Sequence, residues 1–457
     1  MTIHIIACGG AVMHNLTIAL HLNGMNITTS DDEIFEPAKS RLEKYKLLPA
    51  SMGWNTANIN ANLDAVIVGM HARKDNPELI EAQRIGLKIY SFPEYIFEQS
   101  KTKKRVVIAG SHGKTTITSM VMHVLKANGI NFDYMVGSII EGFETMVKLS
   151  KDAKIIILEG DEYSSSPIDP RPKFLLYKAD IALISGIAWD HINVFPTFEY
   201  YTQQFVNFIN TLPNQAPLIY FMGDDVLHET IEKANPNLQY IPYTTHINKI
   251  ENGISYLKNH NDEWIRLQIF GDHNLANLNG AKLICNEIGI SNAQFYDTIG
   301  EFKGAAKRLD TLFETDSSIC FRDFAHAPSK LKATTDAVKK QYPDRKLIAT
   351  MELHTFSSLD KQFLPQYHNT MNAADEAIVY FNPEVVKHKR LEPITEQDII
   401  NNFNKKDLKV FTDSSKLLEY LQSKSLENTN LLLMSSGNYN NIDFKCLNQN
   451  NTSQCPI

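Results

Sequence analysis

RVVIAGSHGKTTITS, residues 105–119, decides how the rest of the chain is read. Arg105 to Ala109 is β-branched and apolar, which predicts a short buried strand. Gly110 to Gly113 predicts a turn, and Lys114 opens a helix carrying the hydroxyls of Thr115, Thr116, Thr118 and Ser119. Strand, glycine-bounded loop, Lys-Thr and helix together form an arrangement that holds nucleotide phosphates. Glycines let backbone N–H groups approach the oxygens, and the helix N-terminus adds positive potential. The lysine neutralises charge, and a threonine hydroxyl reaches Mg²⁺. The general eight-residue pattern asks for glycine at position 108, where Ile108 stands, so the loop is the tighter GSHGKTT.

Working outward, residues 1–100 predict a small α/β domain. IHIIA (3–7) is a buried-type strand, Cys8-Gly9-Gly10 a turn, and Met13 to Asn23 a helix. ITTSDD (27–32), LDAVIVG (63–69) and LKIYS (87–91) supply further strands, with a helix from Asn76 to Ile85. Strands alternating with helices imply a parallel, doubly wound sheet, with its ligand at the strand carboxyl ends near Gly9, Gly10 and Ser30. The dinucleotide fingerprint G-x-G-x-x-G is absent there, because Ala7, Gly9 and Val12 hold its positions. That weakens a dinucleotide reading and leaves room for a nucleotide-diphosphate group.

KTKKR (101–105) reads as a polar link into a central domain, residues 101–310. KIIILEGDEY (154–163) and ADIALISGIAWDHINVF (179–195) are apolar strands that end in polar clusters. In a parallel sheet such ends share one edge, so Glu159, Asp161, Glu162, Asp190 and His191 should gather near Lys114 and Thr115 and suit Mg²⁺. GDHNLANLNGAKLI (271–284) opens a helix with His273, Asn274 and Asn277. EFKGAAKRLDTLFE (301–314) contributes Lys307 and Arg308. A third α/β unit spans residues 311–457, with strands ICFRD, KLIATMELH, EAIVYFN and NLLLM and a strand-end pair Asp323 and His326.

The composition narrows the class. A 457-residue chain exceeds one core and suggests about three domains. Hydrophobic content of 43% and charged content of 21% are those of an ordinary soluble protein. Forty-five basic against 52 acidic residues, a net charge of −7, argue against a broad nucleic-acid surface. Five widely spaced cysteines without a C-x-x-C pair read as reduced thiols. The N-terminus lacks the pattern of a signal peptide, and no apolar run approaches the ~18 residues of a membrane span. The expected setting is cytoplasmic.

GSHGKTT, LEGDEY, DHINVF, GDHNLANLNGAK, FKGAAKRLD and DFAHAPSK resemble, in order, the motifs of the Mur ligases, over nearly the whole chain. The resemblance implies three α/β domains: a Rossmann-like UDP-sugar domain, a P-loop ATPase domain and a C-terminal domain. It also implies ATP-dependent amide formation through an acyl phosphate in building bacterial cell-wall precursors, with ATP and Mg²⁺ required. The ATP site is expected at Gly110, Ser111, His112, Gly113, Lys114, Thr115 and Thr116. Asn274 and Asn277 are expected at the adenine, Asp323 at the ribose, Arg308 at the phosphates, and His326 near the nucleotide. Lys114, Glu159, His191 and Arg308 are the expected catalytic residues, and Thr115, Glu159 and His191 the metal ligands. The UDP-sugar site is expected at Gly9, Gly10, Ser30, Asp31 and His71.

Within the family, GMHARKDNPEL and MSSGNYNNID resemble the members acting on UDP-N-acetylmuramate. One branch adds L-alanine; the other, the murein peptide ligases, adds recycled L-alanyl-γ-D-glutamyl-meso-diaminopimelate. DEYSSSPIDPRPKF resembles the second more, so the peptide is the first expectation. L-alanine is the alternative, and a folylpolyglutamate synthase-like activity lies further off. Many family members carry a carbamylated lysine after the Asp-His motif; here the segment reads YYTQQFVNFIN, without lysine. SSGN is expected to offer backbone donors to a substrate carboxylate, with Ser357, Ser358 and Lys361 nearby. A monomer or weak dimer is expected, without nucleic-acid or membrane partners.

Overall fold

Lys104–Ala109 is the middle strand of a seven-stranded sheet. Its burial on both faces explains the unbroken apolar run: Val106, Val107, Ile108 and Ala109 are wholly inaccessible to solvent. Ile155–Glu159 and Ile181–Ile184 flank it in parallel register. The computed structural model describes residues 1–189, 192, 194–304 and 309–448. Three main sheets organise the chain, each built largely of parallel strands. The first has four parallel strands, Asn26–Ser30, Thr2–Ile6, Ala65–Val68 and Ile89–Ser91, in that spatial order. The third has six strands, and only its edge strand Asp310–Glu314 is antiparallel.

The chain forms two compact units. One comprises Met1–Ile187, Glu199–Thr244 and Asn277–Ile299, and holds the first two sheets. The other comprises Ala188–Phe198, Thr245–Ala276 and Gly300–Ile457, and holds the third. Within the first unit the N-terminal sheet is tied to the central one by polar contacts. The Asn15 carboxamide oxygen accepts from the Met146 N–H at 3.0 Å, and Arg41, which also donates to Asn15 at 2.9 Å, reaches the Glu144 carbonyl at 2.9 Å.

Within the polar link KTKKR, Lys103 is buried and ion-paired with Asp133, whose carboxylate also takes the Ser150 N–H. A buried ammonium is tolerated only with such a partner. Two small antiparallel elements were illegible in the sequence. One is the hairpin Ser164–Ser166/Asp169–Pro172 and the other the three-stranded sheet Asn248–Glu251, Ile254–Lys258 and Trp264–Arg266. Among the described residues Cys8, Cys285 and Cys320 are free and buried. Among the described residues no helix is long and apolar enough to cross a membrane.

Candidate active site

The turn after Lys104–Ala109 needs its glycines for two distinct reasons. Gly110 and Gly113 have φ of 124° and 78°, which side chains resist. Both are also closely approached: a Cβ on Gly113 would lie 2.4 Å from the Asn277 carboxamide oxygen, and one on Gly110 2.3 Å from the Ser185 hydroxyl. The helix Lys114–Ala127 begins here without a side-chain cap, so its first N–H groups face the loop's mouth. His112, Gly113, Lys114 and Thr115 are partly exposed, whereas Ser111 and Thr116 are buried. This is a cradle with a rigid floor and an open rim.

Lys114 lies across that rim. Its ammonium donates to the Gly110 carbonyl at 2.6 Å and to Glu162 at 2.7 Å. Burial alone would lower its pKa, but the charges of Glu162, Asp161 and Glu159 outweigh burial and raise it, so it stays cationic. Glu162 is 1% exposed and takes a longer contact, 3.4 Å, from the Tyr201 hydroxyl. Tyr201 in turn lies 2.7 Å from the Ser111 hydroxyl. Loop, lysine, carboxylate and phenol thus form one connected network.

Thr115 donates to Glu159 at 2.8 Å, and the Gly137 N–H fills the other carboxylate oxygen at 2.7 Å. A Cβ on Gly137 would come within 2.9 Å of that carboxylate. A threonine hydroxyl and one carboxylate beside a phosphate cradle fit Mg²⁺, which keeps several waters and takes remaining ligands from phosphate. No cluster of three or more His, Cys, Asp or Glu among the described residues could hold a metal by itself. The fit is therefore to a metal that arrives with a nucleotide. Asp161, predicted in the same group, is turned to Lys173 at 2.7 Å. Burial raises its pKa, but Lys173 and Lys114 outweigh that and hold it low.

Asp190, His191 and Arg308 lie outside the described residues. Asn277 is buried against Gly113. Asn274, one turn earlier on the helix Asp272–Glu287, gives its amide to the Phe270 carbonyl at 2.8 Å. In the second unit, Asp323 is 5% exposed and accepts from the N–H groups of Leu309 and Ala325 at 2.8 and 2.7 Å. His326 Nδ1 lies 2.8 Å from the Phe324 carbonyl oxygen.

At the N-terminal sheet, Gly9, Gly10, Ser30, Asp31 and His71 share the carboxyl edge. Asp31 accepts the Gly9 N–H at 2.6 Å, and His71 stands about where a Cβ on Gly10 would touch it, at 3.4 Å. Burial raises the Asp31 pKa and the Gly9 bond opposes it. The Ser30 hydroxyl points inward, to the buried Glu78, which also accepts from the Asn55 N–H and the Asn58 amide. Gly10 caps the helix Ala11–Leu22 without a side-chain bond, leaving an N-terminus suited to a diphosphate.

In the SSGN loop the Ser435 N–H donates to the Asp323 carbonyl at 3.0 Å and the Gly437 N–H to the Ser435 hydroxyl at 2.7 Å, while the Ser435 hydroxyl and the following Tyr439 N–H, at 2.9 Å, donate to the internal carboxylate of Glu352. Ser357 and Ser358 are buried in a turn, and Lys361 pairs with Asp398 at 3.2 Å. Tyr201, Gly137, Ser185 and Asp224 were missed by sequence reading. Asp224 accepts the Ile187 N–H at 2.6 Å and the Leu227 N–H at 2.9 Å, pinning the chain beside the loop. Each lies far from the loop in sequence and carries no local motif.

Comparison with known proteins agrees with this geometry. The family pattern described as the Mur ligase middle domain matches residues 108–285. The chain is 29% identical over 387 residues to a UDP-N-acetylmuramate–L-alanine ligase of Caldicellulosiruptor bescii, covering 82% of each chain. Its fold is similar to that of a murein peptide ligase from Psychrobacter arcticus 273-4, with a TM-score of 0.65, 21% identity and 98% of each chain covered. It is also similar to that of the UDP-N-acetylmuramate-alanine ligase MurC from Thermotoga maritima, with a TM-score of 0.69, 19% identity, and 96% of this chain and 97% of that one covered. With the middle-domain pattern at residues 108–285 and the likeness to these ligases running through the sheets on either side, the chain is similar over most of its length to the Mur ligases, a family of ATP-dependent amide-forming enzymes.

Proposed function

We propose that the chain joins the lactyl carboxyl group of UDP-N-acetylmuramate to the amino group of an L-alanyl unit at the expense of ATP. The observation that carries this reading is the phosphate cradle, with Lys114 held across its rim and Thr115 beside Glu159. The carboxylate oxygen attacks the γ-phosphorus, the bond to ADP breaks, and an acyl phosphate results. The amine then attacks the acyl carbon, the C–N bond forms, phosphate leaves, and the nitrogen sheds a proton. Both reactants are anionic, so the residues' work is to align groups and neutralise charge. Lys114 meets the β- and γ-phosphates, the loop N–H groups hold their oxygens, and Asn277 closes the cradle behind Gly113. When bound, Mg²⁺ supplies further positive charge beside Thr115 and Glu159, with His191 and Arg308 proposed to join them. Gly9, Gly10, Asp31 and His71 are proposed for the UDP-sugar, in a cytoplasmic enzyme of cell-wall precursor metabolism.

Free L-alanine is the acceptor named for the C. bescii relative, and it stands first. The sequence expectation put the peptide first. It remains the second reading, because the stretch that carried it forms an ordered hairpin, Ser164–Ser166 with Asp169–Pro172, directly after Glu162. Phosphate release with UDP-N-acetylmuramate and either amine decides between them. A preference for L-alanine of ~10²-fold in kcat/KM supports the first reading, and the reverse preference supports the second.

A further inference from the structure

Glu352 is a buried carboxylate that the phosphate-loop chemistry leaves unused. It lies at the carboxyl end of the strand Lys346–Leu353 and is 4% exposed. The strand order sets its surroundings. Thr429–Met434, the last strand in sequence, lies between Ile319–Asp323 and Lys346–Leu353, all three parallel. After Ile319–Asp323 the chain enters the helix Pro328–Gln341, whose Leu331 and Val338 pack on one face of the sheet. After Thr429–Met434 it turns to the other face, where Tyr439, Phe444 and Leu447 pack. Connections diverging in this way open a crevice at the strand carboxyl ends, where α/β sheets take their ligands.

Glu352, at that carboxyl edge, is half-satisfied. Its Oε2 accepts from the Ser435 hydroxyl and the Tyr439 N–H, and Ser435 in turn accepts the Gly437 N–H at 2.7 Å. The loop is pressed onto the carboxylate: a Cβ on Gly437 would lie 2.8 Å from Oε2 and from the His354 ring. Oε1 has no hydrogen-bond donor among the described residues, and His354 Nδ1 lies 3.7 Å away, too far for a hydrogen bond. The adjacent Ser436 hydroxyl is buried and likewise without a partner. A buried carboxylate with an unfilled oxygen favours a cationic donor.

We propose that Glu352 binds the protonated amino group of the acceptor through Oε1 and sets the nitrogen's position, the ammonium giving one proton to solvent before the nitrogen attacks. The proposal rests on the ligase reading above. Its test uses Glu352→Gln, which preserves an oxygen for Ser435 and Tyr439 but removes the charge, with Glu352→Asp as the charge-keeping partner. KM for L-alanine and for the L-alanyl peptide, for ATP and for UDP-N-acetylmuramate is measured in the full-length chain. Hydroxylamine, uncharged at neutral pH, is run alongside as a nucleophile that traps the activated carboxyl as a hydroxamate.

The expected result is a ~10–100-fold higher KM for the amine in Glu352→Gln, with the other two KM values and hydroxamate formation unchanged. Glu352→Asp should recover part of the loss. An unchanged amine KM in Glu352→Gln overturns the proposal, as does loss of hydroxamate formation in a variant with wild-type thermal midpoint. Should Glu352→Gln fold poorly, Glu352→Asp must retain amine use better than Glu352→Ala; equal losses overturn it. If the wild-type chain forms neither amide nor hydroxamate, the ligase reading itself fails, and this inference with it.

Discussion

At the scale of the residue, the phosphate cradle depends on one cation and one hydroxyl–carboxylate pair. Replacing Lys114 with alanine removes the cation while keeping a good helix former, so turnover should fall on the order of 10²–10³ with the fold retained. Steady-state phosphate release and a thermal melt check both halves; near-native turnover would remove Lys114 from the site. Glu159→Gln keeps the side chain's shape and one of the two oxygens that accept from Thr115 and Gly137 but loses the charge. The Mg²⁺ concentration for half-maximal rate should rise ~10-fold or more, and an unchanged titration would make Glu159 structural. Lys114, Thr115 and Glu159 were legible because each belongs to a local strand-end motif. Tyr201 was not. Its segment was noticed only for lacking a lysine, yet its hydroxyl links Ser111 to Glu162 across 90 and 39 residues. Only folding brings such partners together. The partners of the Ser30 and Ser435 hydroxyls, the buried carboxylates of Glu78 and Glu352, escaped for the same reason, 48 and 83 residues away.

At the scale of the element, strands and helices near the motifs were predicted closely because burial on two faces leaves an unmistakable apolar run. Lys104–Ala109, Ile319–Asp323 and Thr429–Met434 are examples. The hairpin and the small three-stranded sheet escaped because their strands are short and largely polar, as in SSS and NKIE. The turn into the helix Lys114–Ala127 can be tested as a unit. Gly113→Ala places a methyl group against Asn277 at a positive φ, so nucleotide affinity and thermal stability should both fall, stability by about 1–3 kcal/mol. A variant as stable as wild type would show that the loop relaxes. In the third sheet, Glu376 begins the strand Glu376–Phe381 and takes bonds from Lys346 at 2.9 Å and from Tyr420. Burial pushes its pKa up, but Tyr420, Lys346 and Lys424 outweigh this and bring it down to about 2 from 4.5. A lowered folded pKa means stabilisation that is complete above pH 4.5 and disappears as pH falls toward 2. After allowance for solvent screening this amounts to about 1–2 kcal/mol. Acid unfolding of Glu376→Gln should lack that part of the slope, and an identical pH profile would contradict the assignment.

At the scale of the whole molecule, the sequence motifs indicated three α/β sheets in order, and the structure has them. It also shows two compact units, the first holding both the N-terminal and the central sheet. That grouping was not legible, because contacts such as Met146 with Asn15 and Arg41 with the Glu144 carbonyl join segments whose local sequence marks no interface. The central claim is that a carboxylate is activated by phosphoryl transfer at the Lys114 cradle and then captured by an amine. UDP-N-acetylmuramate labelled with oxygen-18 in its lactyl carboxylate tests it most directly, with ATP, Mg²⁺ and L-alanine or the L-alanyl peptide present. The account predicts one oxygen-18 transferred to each phosphate released, with amide formed in equal amount and no transfer in Lys114→Ala. Phosphate released without the label, or at the same rate without UDP-N-acetylmuramate, would contradict it.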